Sequence, residues 1–174
     1  HPVAHSFPTR RSSDLVESVT VILARALTGV DDLDVHVITL ERRRDRIVVE
    51  QDRAVSIHRL PGSRWPQIAD ILVGPGRRRL IEYVLDLAPD VLHVHETYGL
   101  GLATLPVPHV FTVHGFDHAN LLADAASWGR VRSLLWKRVE RRGLATQKHI
   151  ISITPYVREM IEPLSNAAIY DIDN

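Results

Sequence analysis

The sequence predicts an α/β fold, a doubly wound parallel sheet with helices on both of its faces. Short β-branched and apolar runs alternate along the chain with longer segments at helical spacing. The short runs are apolar almost throughout, which is typical of parallel strands that are covered on both sides. In such sheets ligands bind beyond the carboxyl ends of the strands, so the residues that follow each run are the first candidates for chemistry.

Composition indicates one soluble domain. The 174 residues can bury a sizeable core, and the hydrophobic content of 45% and charged content of 24% are ordinary for globular proteins. No apolar run approaches the roughly 20 residues of a membrane-spanning helix. Cysteine is absent, which excludes disulfides and thiolate metal sites and fits a cytoplasmic protein. A formal net charge of zero argues against non-specific nucleic-acid binding.

The first half of the chain predicts two helices and two buried strands. The first helix is amphipathic, and Gly29 stands where a helix end is expected. The two strands are short β-branched runs. The second helix, also amphipathic, ends before Pro89 because proline disfavours helical geometry in the residue before it. We place the helices at residues 16–28 and 77–88, and the strands at residues 34–40 and 54–60.

The second half continues the alternation. A weak helix precedes a proline pair, and a longer helical region follows the next strand. Thr154 and Pro155 are typical of an N-cap and a first helical position, so a helix starts there. We place strands at residues 91–95, 109–115, 149–153 and 167–172, and helices at residues 99–105, at 120–145 and from 155 onward.

Histidines and other polar residues gather where three successive strands end, in "HVHETYG", "TVHGFDH" and "SITPY". His93 and His95 are two apart and therefore share one face of a strand, with His95 nearer the carboxyl end. Glu96 follows directly. His114 closes the next strand, and Gly115 lets backbone approach a ligand closely. Imidazoles and a carboxylate around a crevice suit a hydroxyl-rich substrate, because each forms directional hydrogen bonds, and either can relay a proton.

Some of these histidines have a purely structural interpretation. A histidine within an apolar strand can be a core residue whose ring nitrogens bond to its neighbours. We favour this interpretation for His93 and His109, and the ligand-facing one for His95 and His114. For Glu96 the sequence is intermediate between these two interpretations.

Four segments together resemble the amino-terminal half of family 4 glycosyltransferases, namely "PDVLHVHE", "VPHVFTVHGFD", "ERRGLATQKHIISITPYVREMI" and "IYDIDN". That family consists of retaining, two-domain enzymes of the GT-B architecture, in which each half is Rossmann-like. The resemblance covers residues 16–174. We therefore divide the chain into a foreign segment, residues 1–15, and an incomplete glycosyltransferase domain, residues 16–174.

The resemblance implies transfer of a sugar, with retention, from a nucleotide-diphosphate sugar to a sugar or lipid-linked acceptor. The nucleotide sugar is a co-substrate, and no cofactor or metal is implied. The implied partners are the carboxy-terminal domain and, for the full enzyme, a membrane surface at its periphery; no nucleic acid is implied. His114 would be the catalytic residue against the transferred sugar, and Asn174 would lead toward the interdomain linker. The implied substrate-binding residues are His95, Glu96, Tyr98, Gly115, Phe116 and Asp117.

Two other function classes remain open. One is a metal-dependent hydrolase that uses His93, His95 and His114, with His118 or Asp117 as a further ligand. The other is a non-catalytic carbohydrate- or nucleotide-binding module.

The segment "HSFPTRRSSDL", residues 5–15, does not fit the domain. No apolar core follows its paired arginines, so an export signal is excluded. It resembles the translation of a common sequencing adapter, and it stands where the family's first strand and Gly-Gly loop are expected. We therefore expect a gap in the sheet, unpaired edges on the strands that flank it, a tendency to aggregate and no turnover by this chain alone.

Overall fold

The structure is a computed structural model, and it describes residues 12–41, 44–95, 97–123 and 129–172. In these ranges the chain forms six α-helices, seven β-strands and one 3-10 helix, Thr97–Gly101. The helices are α1 (Ser12–Leu27), α2 (Gln67–Val73), α3 (Pro75–Leu87), α4 (Asp117–Ala123), α5 (Gly129–Ala145) and α6 (Pro155–Ile161). The strands are β1 (Val35–Glu41), β2 (Val48–Asp52), β3 (Val55–Pro61), β4 (Leu92–His95), β5 (His109–Val113), β6 (His149–Ser152) and β7 (Ala168–Asp171).

The strands form two sheets, and the parallel α/β prediction is confirmed. One sheet has four parallel strands in the order β4-β5-β6-β7. The other has the order β1-β3-β2, in which β1 and β3 are parallel and β2 is antiparallel. Strands β1 and β4 lie at the ends of their sheets, and within the described ranges no strand pairs with their outer edges. The sequence predicts unpaired edges on these two strands, and residues 1–11, on which that prediction largely rests, lie outside the described ranges.

The core lies mainly around the four-stranded sheet. Its strands pack against α3, α5 and α6 through side chains that are almost fully buried, among them Val84, Leu144, Ile150 and Ile161. Burying each aliphatic side chain of this kind contributes about 1.5–3 kcal/mol. This sheet is therefore a firm support for whatever lies at its carboxyl edge.

The three-stranded sheet is less well covered. Every residue of β1 is only partly buried, although the sequence predicted a buried strand. Its Ile38 and Leu40 still pack against the main core. In α1, Ile22 has helical spacing with the apolar residues but is 68% exposed. Both elements are therefore less buried than their sequence patterns predicted.

Two elements were not predicted. Strand β2 is short and mostly exposed, with the polar sequence VVEQD, so it lacks the apolar run that marks the other strands. The turn from β2 to β3 contains Arg53 at a φ of 57° instead of the glycine that usually marks such a turn. Helix α2 follows Pro66 without a side-chain cap. The region predicted as one helix at residues 120–145 contains two, α4 and α5.

The starts of helices α6 and α1 can be compared with the sequence predictions. Thr154 is the N-cap of α6, and its Oγ1 accepts a hydrogen bond of 3.2 Å from the Val157 N–H, as predicted. Helix α1 begins at Ser12, so the last four residues of the segment that we set apart are helical. Residues 1–11 lie outside the described ranges. In the part of the chain that is described, no helix is both long enough and apolar enough to cross a membrane.

Candidate functional site

Three histidines form a row at the carboxyl ends of β4 and β5. The two strands are parallel neighbours, and their register places His95 opposite Thr112. His93 and His95 share a face, with ring centres 4.2 Å apart. His114 is the first residue after β5, whereas the sequence predicted a strand that extends through it to residue 115. Its Nε2 lies 3.0 Å from Nδ1 of His95, and the two rings are nearly parallel at 27°.

His93 and His109 have partners of their own within the fold. Nε2 of His93 lies 2.7 Å from the hydroxyl of Thr112, which is buried. His109 begins β5, at the opposite end of the sheet, and its Nδ1 lies 3.0 Å from the Val107 carbonyl oxygen. These contacts lie within the sheet, although Nε2 of His109 is buried without a hydrogen-bond partner among the described residues. They leave His95 and His114 as the pair at the carboxyl edge of the four-stranded sheet.

Burial keeps this row of histidines neutral. It lowers the pKa of His95 to about 3, with further contributions from His93 and His114. Burial also lowers the pKa of His93, as does the neighbouring His114, and burial alone lowers the pKa of His114. A neutral imidazole carries one N–H donor and one acceptor nitrogen. Near pH 7 the row therefore forms directional hydrogen bonds without carrying positive charge.

The segment after His114 combines an open position with anchored ones. A Cβ added to Gly115 would meet no atom within 4 Å, so the backbone there borders open space. Phe116 is buried in the main core. Asp117 begins α4 and is partly buried; burial raises its pKa, and the nearby His118 opposes that rise. Phe116 therefore holds the loop in place, while Gly115 leaves room beside His114.

Glu140 of α5 fixes the start of α4, and the sequence did not indicate this role. The side chain is 5% exposed, and its Oε1 accepts a hydrogen bond of 3.2 Å from the His118 N–H. Its Oε2 contacts Nδ1 of His118. Burial raises the pKa of Glu140, and the hydrogen bond to His118 opposes that rise. The Ser133 hydroxyl adds a bond of 2.8 Å to the His118 carbonyl. A carboxylate on the apolar face of α5 was the signal that could have revealed it.

The model of Glycosyltransferase Family 4 matches residues 16–169, which include both sheets and all six helices in whole or in part. The chain belongs to glycosyltransferase family 4. A search of curated proteins found no significant match. The family assignment agrees with the resemblance seen in the sequence, and it identifies the domain as a glycosyltransferase domain.

In this family 4 domain Tyr98 anchors the segment that follows β4. Its hydroxyl donates a hydrogen bond of 2.8 Å to Oδ2 of Asp70, which is 1% exposed. Oδ1 of Asp70 accepts a bond of 2.9 Å from the Gly76 N–H. A Cβ at Gly74 or Gly76 would lie 2.2 Å from a carboxylate oxygen of Asp70, so both positions need glycine. Asp70 therefore ties the junction of α2 and α3 to the loop behind His95.

Two of the predicted site residues, Glu96 and Asn174, lie outside the described ranges. The remaining predicted site residues occupy different positions relative to the sheet. His95, His114 and Gly115 lie at the carboxyl edge of the four-stranded sheet, whereas Tyr98 and Phe116 anchor the loops there and Asp117 starts α4.

The arrangement of the described side chains does not support the metal-hydrolase alternative. Among the described residues, no group of three or more His, Asp or Glu side chains is arranged to hold a metal ion. His95 and His114 share a hydrogen bond with each other, and His118 is engaged by Glu140. Nδ1 of His118, on one of the further ligands considered, therefore already has a partner within the protein.

Proposed function

We propose that this chain is part of a retaining glycosyltransferase that moves a sugar from a nucleotide-diphosphate sugar to an acceptor hydroxyl. The residues described here would line the acceptor side of the cleft, and the donor nucleotide would be bound mainly by a second domain. Membership of family 4 supports glycosyl transfer. The position of the histidine row at the carboxyl edge of a parallel sheet supports the location of the site.

The observation that carries the proposal is the hydrogen bond between His95 and His114. It occupies one nitrogen of each ring, and among the described residues the remaining two nitrogens have no hydrogen-bond partner. Because both rings are neutral, one of these two nitrogens is a donor and the other an acceptor in either tautomer. A sugar hydroxyl also donates and accepts. The pair therefore matches the hydrogen-bonding capacity of one hydroxyl group.

The chemistry assigned to this half of the cleft is positioning and electrostatic stabilisation. His114 would hold a hydroxyl of the transferred sugar, and His95 would fix the tautomer and ring orientation of His114. Gly115 leaves space for the sugar beside them. We expect no turnover by this chain alone, because this half supplies only one wall of the cleft.

The test is a substitution in the two-domain enzyme that contains this domain. Sugar release from a panel of nucleotide sugars is measured with and without acceptor, for the unchanged enzyme, for His114→Ala and for His149→Ala. His149 is a matched control, since it is an exposed histidine at the amino end of β6. We expect His114→Ala to lower kcat by about a hundredfold or more, and His149→Ala to leave it unchanged.

Equal activity of the three proteins would overturn the proposal. Binding of a nucleotide sugar without any turnover in the two-domain enzyme would also overturn it, and would favour a non-catalytic binding module.

A further inference from the structure

The loop between β3 and α2 carries an exposed tryptophan, to which the proposed function gives no role. Trp65 is 48% exposed, whereas Trp136 of α5 is 4% exposed. Tryptophan is highly buried on average, because its ring removes a large apolar area from water. Within residues 62–67 Trp65 is the only large hydrophobic side chain. The indole therefore presents a single apolar ring to solvent.

The backbone around Trp65 is held on both sides of the residue. The Trp65 N–H donates a hydrogen bond of 3.0 Å to the hydroxyl of Ser63, which is 6% exposed. The Gly62 N–H donates one of 2.8 Å to the carbonyl oxygen of Glu41, the last residue of β1. Pro66, which follows the tryptophan, has its φ fixed by its ring and stands at the N-cap of α2. The loop therefore presents the indole from a defined backbone.

The loop that carries Trp65 meets the segment that follows β4. Nε2 of Gln67 donates a hydrogen bond of 2.9 Å to the hydroxyl of Thr97. Gln67 is two residues after Trp65, and Thr97 is two residues after His95. Two residues span at most about 7 Å of chain, so Trp65 lies near the carboxyl ends of both β3 and β4. This is the edge at which ligands bind in such sheets.

The residues that flank Trp65 add hydrogen-bonding groups to the apolar ring. Arg64 and Gln67 are both exposed. The guanidinium group of Arg64 offers N–H donors, and Gln67 offers an amide oxygen as well as the N–H group that bonds to Thr97. Ligand sites commonly combine an aromatic surface with a few polar groups of this kind. The combination suits a ligand with an apolar face and hydroxyl groups at its rim.

We propose that Trp65 binds a sugar ring of the acceptor, an inference that rests on the proposed function and narrows its acceptor to a glycoside. A pyranose ring with equatorial hydroxyls carries axial C–H groups on its faces. One such face packs against the indole, and the hydroxyls at the rim bond to Arg64 and Gln67. An aliphatic lipid chain is a poorer match, because one ring between polar side chains covers little of its length.

The first test measures glycoside binding and needs no turnover. Saturation-transfer NMR is recorded on the two-domain enzyme with methyl β-D-glucopyranoside, whose odd-numbered and even-numbered ring carbons carry axial protons on opposite faces. We expect one set of protons to receive clearly more saturation than the other, because only one face packs against the indole. Trp65→Ala should weaken the binding about tenfold. Trp65→Tyr keeps an aromatic ring and should weaken it by less than about threefold.

The second test measures sugar transfer by the two-domain enzyme to a panel of methyl β-glycosides. Trp65→Ala should raise the KM for the acceptor about tenfold, and more than it changes the KM for the nucleotide sugar. The matched control is Tyr170→Ala. Tyr170 is 47% exposed and lies on β7, at the opposite end of the four-stranded sheet from β4, so its loss should change neither KM. Circular dichroism checks that each variant is folded.

Equal saturation of the two faces of the glycoside, or unchanged glycoside binding by Trp65→Ala, would overturn the proposal. Loss of decyl phosphate binding in Trp65→Ala without loss of glycoside binding would also overturn it, and would assign the indole to a lipid acceptor.

Failure of this proposal is distinguishable from failure of the proposed function. If the two-domain enzyme turns over no nucleotide sugar, glycosyl transfer is contradicted, and the NMR comparison still decides whether Trp65 binds a sugar ring. If sugar is transferred but Trp65→Ala leaves the KM for the acceptor unchanged, only the role of Trp65 is contradicted.

Discussion

Each of the two sheets contains a pair of hydrogen-bonded histidines from adjacent strands or their ends, and the two pairs differ in one respect. In the three-stranded sheet, Nδ1 of His36 lies 2.7 Å from Nε2 of His58. The other nitrogens of this pair also have partners, since Nε2 of His36 lies 3.1 Å from Asp34 and Nδ1 of His58 lies 2.8 Å from the hydroxyl of Tyr83. All four nitrogens of this closed pair are occupied.

The pair at the carboxyl edge of the four-stranded sheet is open. His95 and His114 bond to each other, but each has a second nitrogen without a hydrogen-bond partner among the described residues. Burial lowers the pKa of both residues, and it also lowers the pKa of His58 in the closed pair. Both pairs therefore contain a histidine whose pKa is lowered by burial. The two pairs therefore differ in their unused hydrogen-bonding capacity, which among the described residues only His95 and His114 retain.

The largest effect is expected where the open pair borders free space. Gly115→Val adds a branched side chain beside His114, and its Cβ meets no protein atom within 4 Å. We expect sugar transfer by the two-domain enzyme to fall about a hundredfold, because the sugar is displaced, while the midpoint of urea unfolding stays unchanged. A loss of activity that is matched by a loss of stability would show that Gly115 is a structural residue.

The closed pair should respond in the opposite way. His58 is 6% exposed, and His58→Ala leaves His36 and Tyr83 each without one hydrogen bond. We expect the free energy of unfolding of the chain to fall by about 2–3 kcal/mol, measured by urea denaturation. The matched substitution His114→Ala should cost less than about 1 kcal/mol. A similar loss of unfolding free energy in His58→Ala and in His114→Ala would contradict the proposed difference between the two pairs.

The stability of the chain should fall as the pH drops below about 6.5. Four histidines, His58, His93, His95 and His114, have a lowered pKa in the folded state, so the unfolded chain binds more protons in this range. Each contributes up to about 1.4 kcal/mol per pH unit, and for His95 the effect extends down to its folded pKa of about 3.

Two carboxyl groups oppose this trend. Burial raises the pKa of Asp117 and of Glu140, so the folded chain binds more protons at those groups above about pH 4. As the pH falls, four histidines lower the stability of the chain and only two carboxyl groups raise it. We therefore expect lower stability at pH 5 than at pH 7. His95→Gln should reduce that difference, as measured by thermal unfolding at the two pH values. An unchanged difference would contradict the assigned neutrality of His95.

The smallest effect is expected at the outer end of the closed pair. Tyr83→Phe removes only the hydroxyl that bonds to Nδ1 of His58. We expect a loss of about 1 kcal/mol in the free energy of unfolding, with no change in sugar transfer by the two-domain enzyme. A change in sugar transfer would link the three-stranded sheet to the site and would contradict the purely structural role of the closed pair.

The sequence predicted those parts of the fold that rest on local patterns. Strands β3 to β7 are apolar runs with punctuation at their ends, and their positions agree with the structure to within a few residues. Strand β2 was missed because its side chains are mostly polar and exposed. The degree of burial of β1 was wrong because burial depends on neighbouring strands, which the pattern of a single strand cannot reveal.

The candidate site was predictable to the extent that it depends on the sheet. Parallel strands place their carboxyl ends together, so the approach of His95 to His114 follows from the order of the motifs. The roles of Asp70 and Glu140 were not predictable, because each depends on a contact between residues 22 or more positions apart. The closed pair was missed for the same reason, since 22 positions separate His36 from His58.

The central claim is that the open pair receives the sugar and the closed pair does not. Long-range proton–nitrogen NMR spectra of the histidine rings in the two-domain enzyme test it most directly, recorded with and without a nucleotide sugar and an acceptor. We predict that ring-nitrogen shifts of His95 and His114 change on addition of ligands, whereas those of His36 and His58 stay the same. Unchanged shifts at His95 and His114 under conditions in which sugar is transferred would contradict the claim.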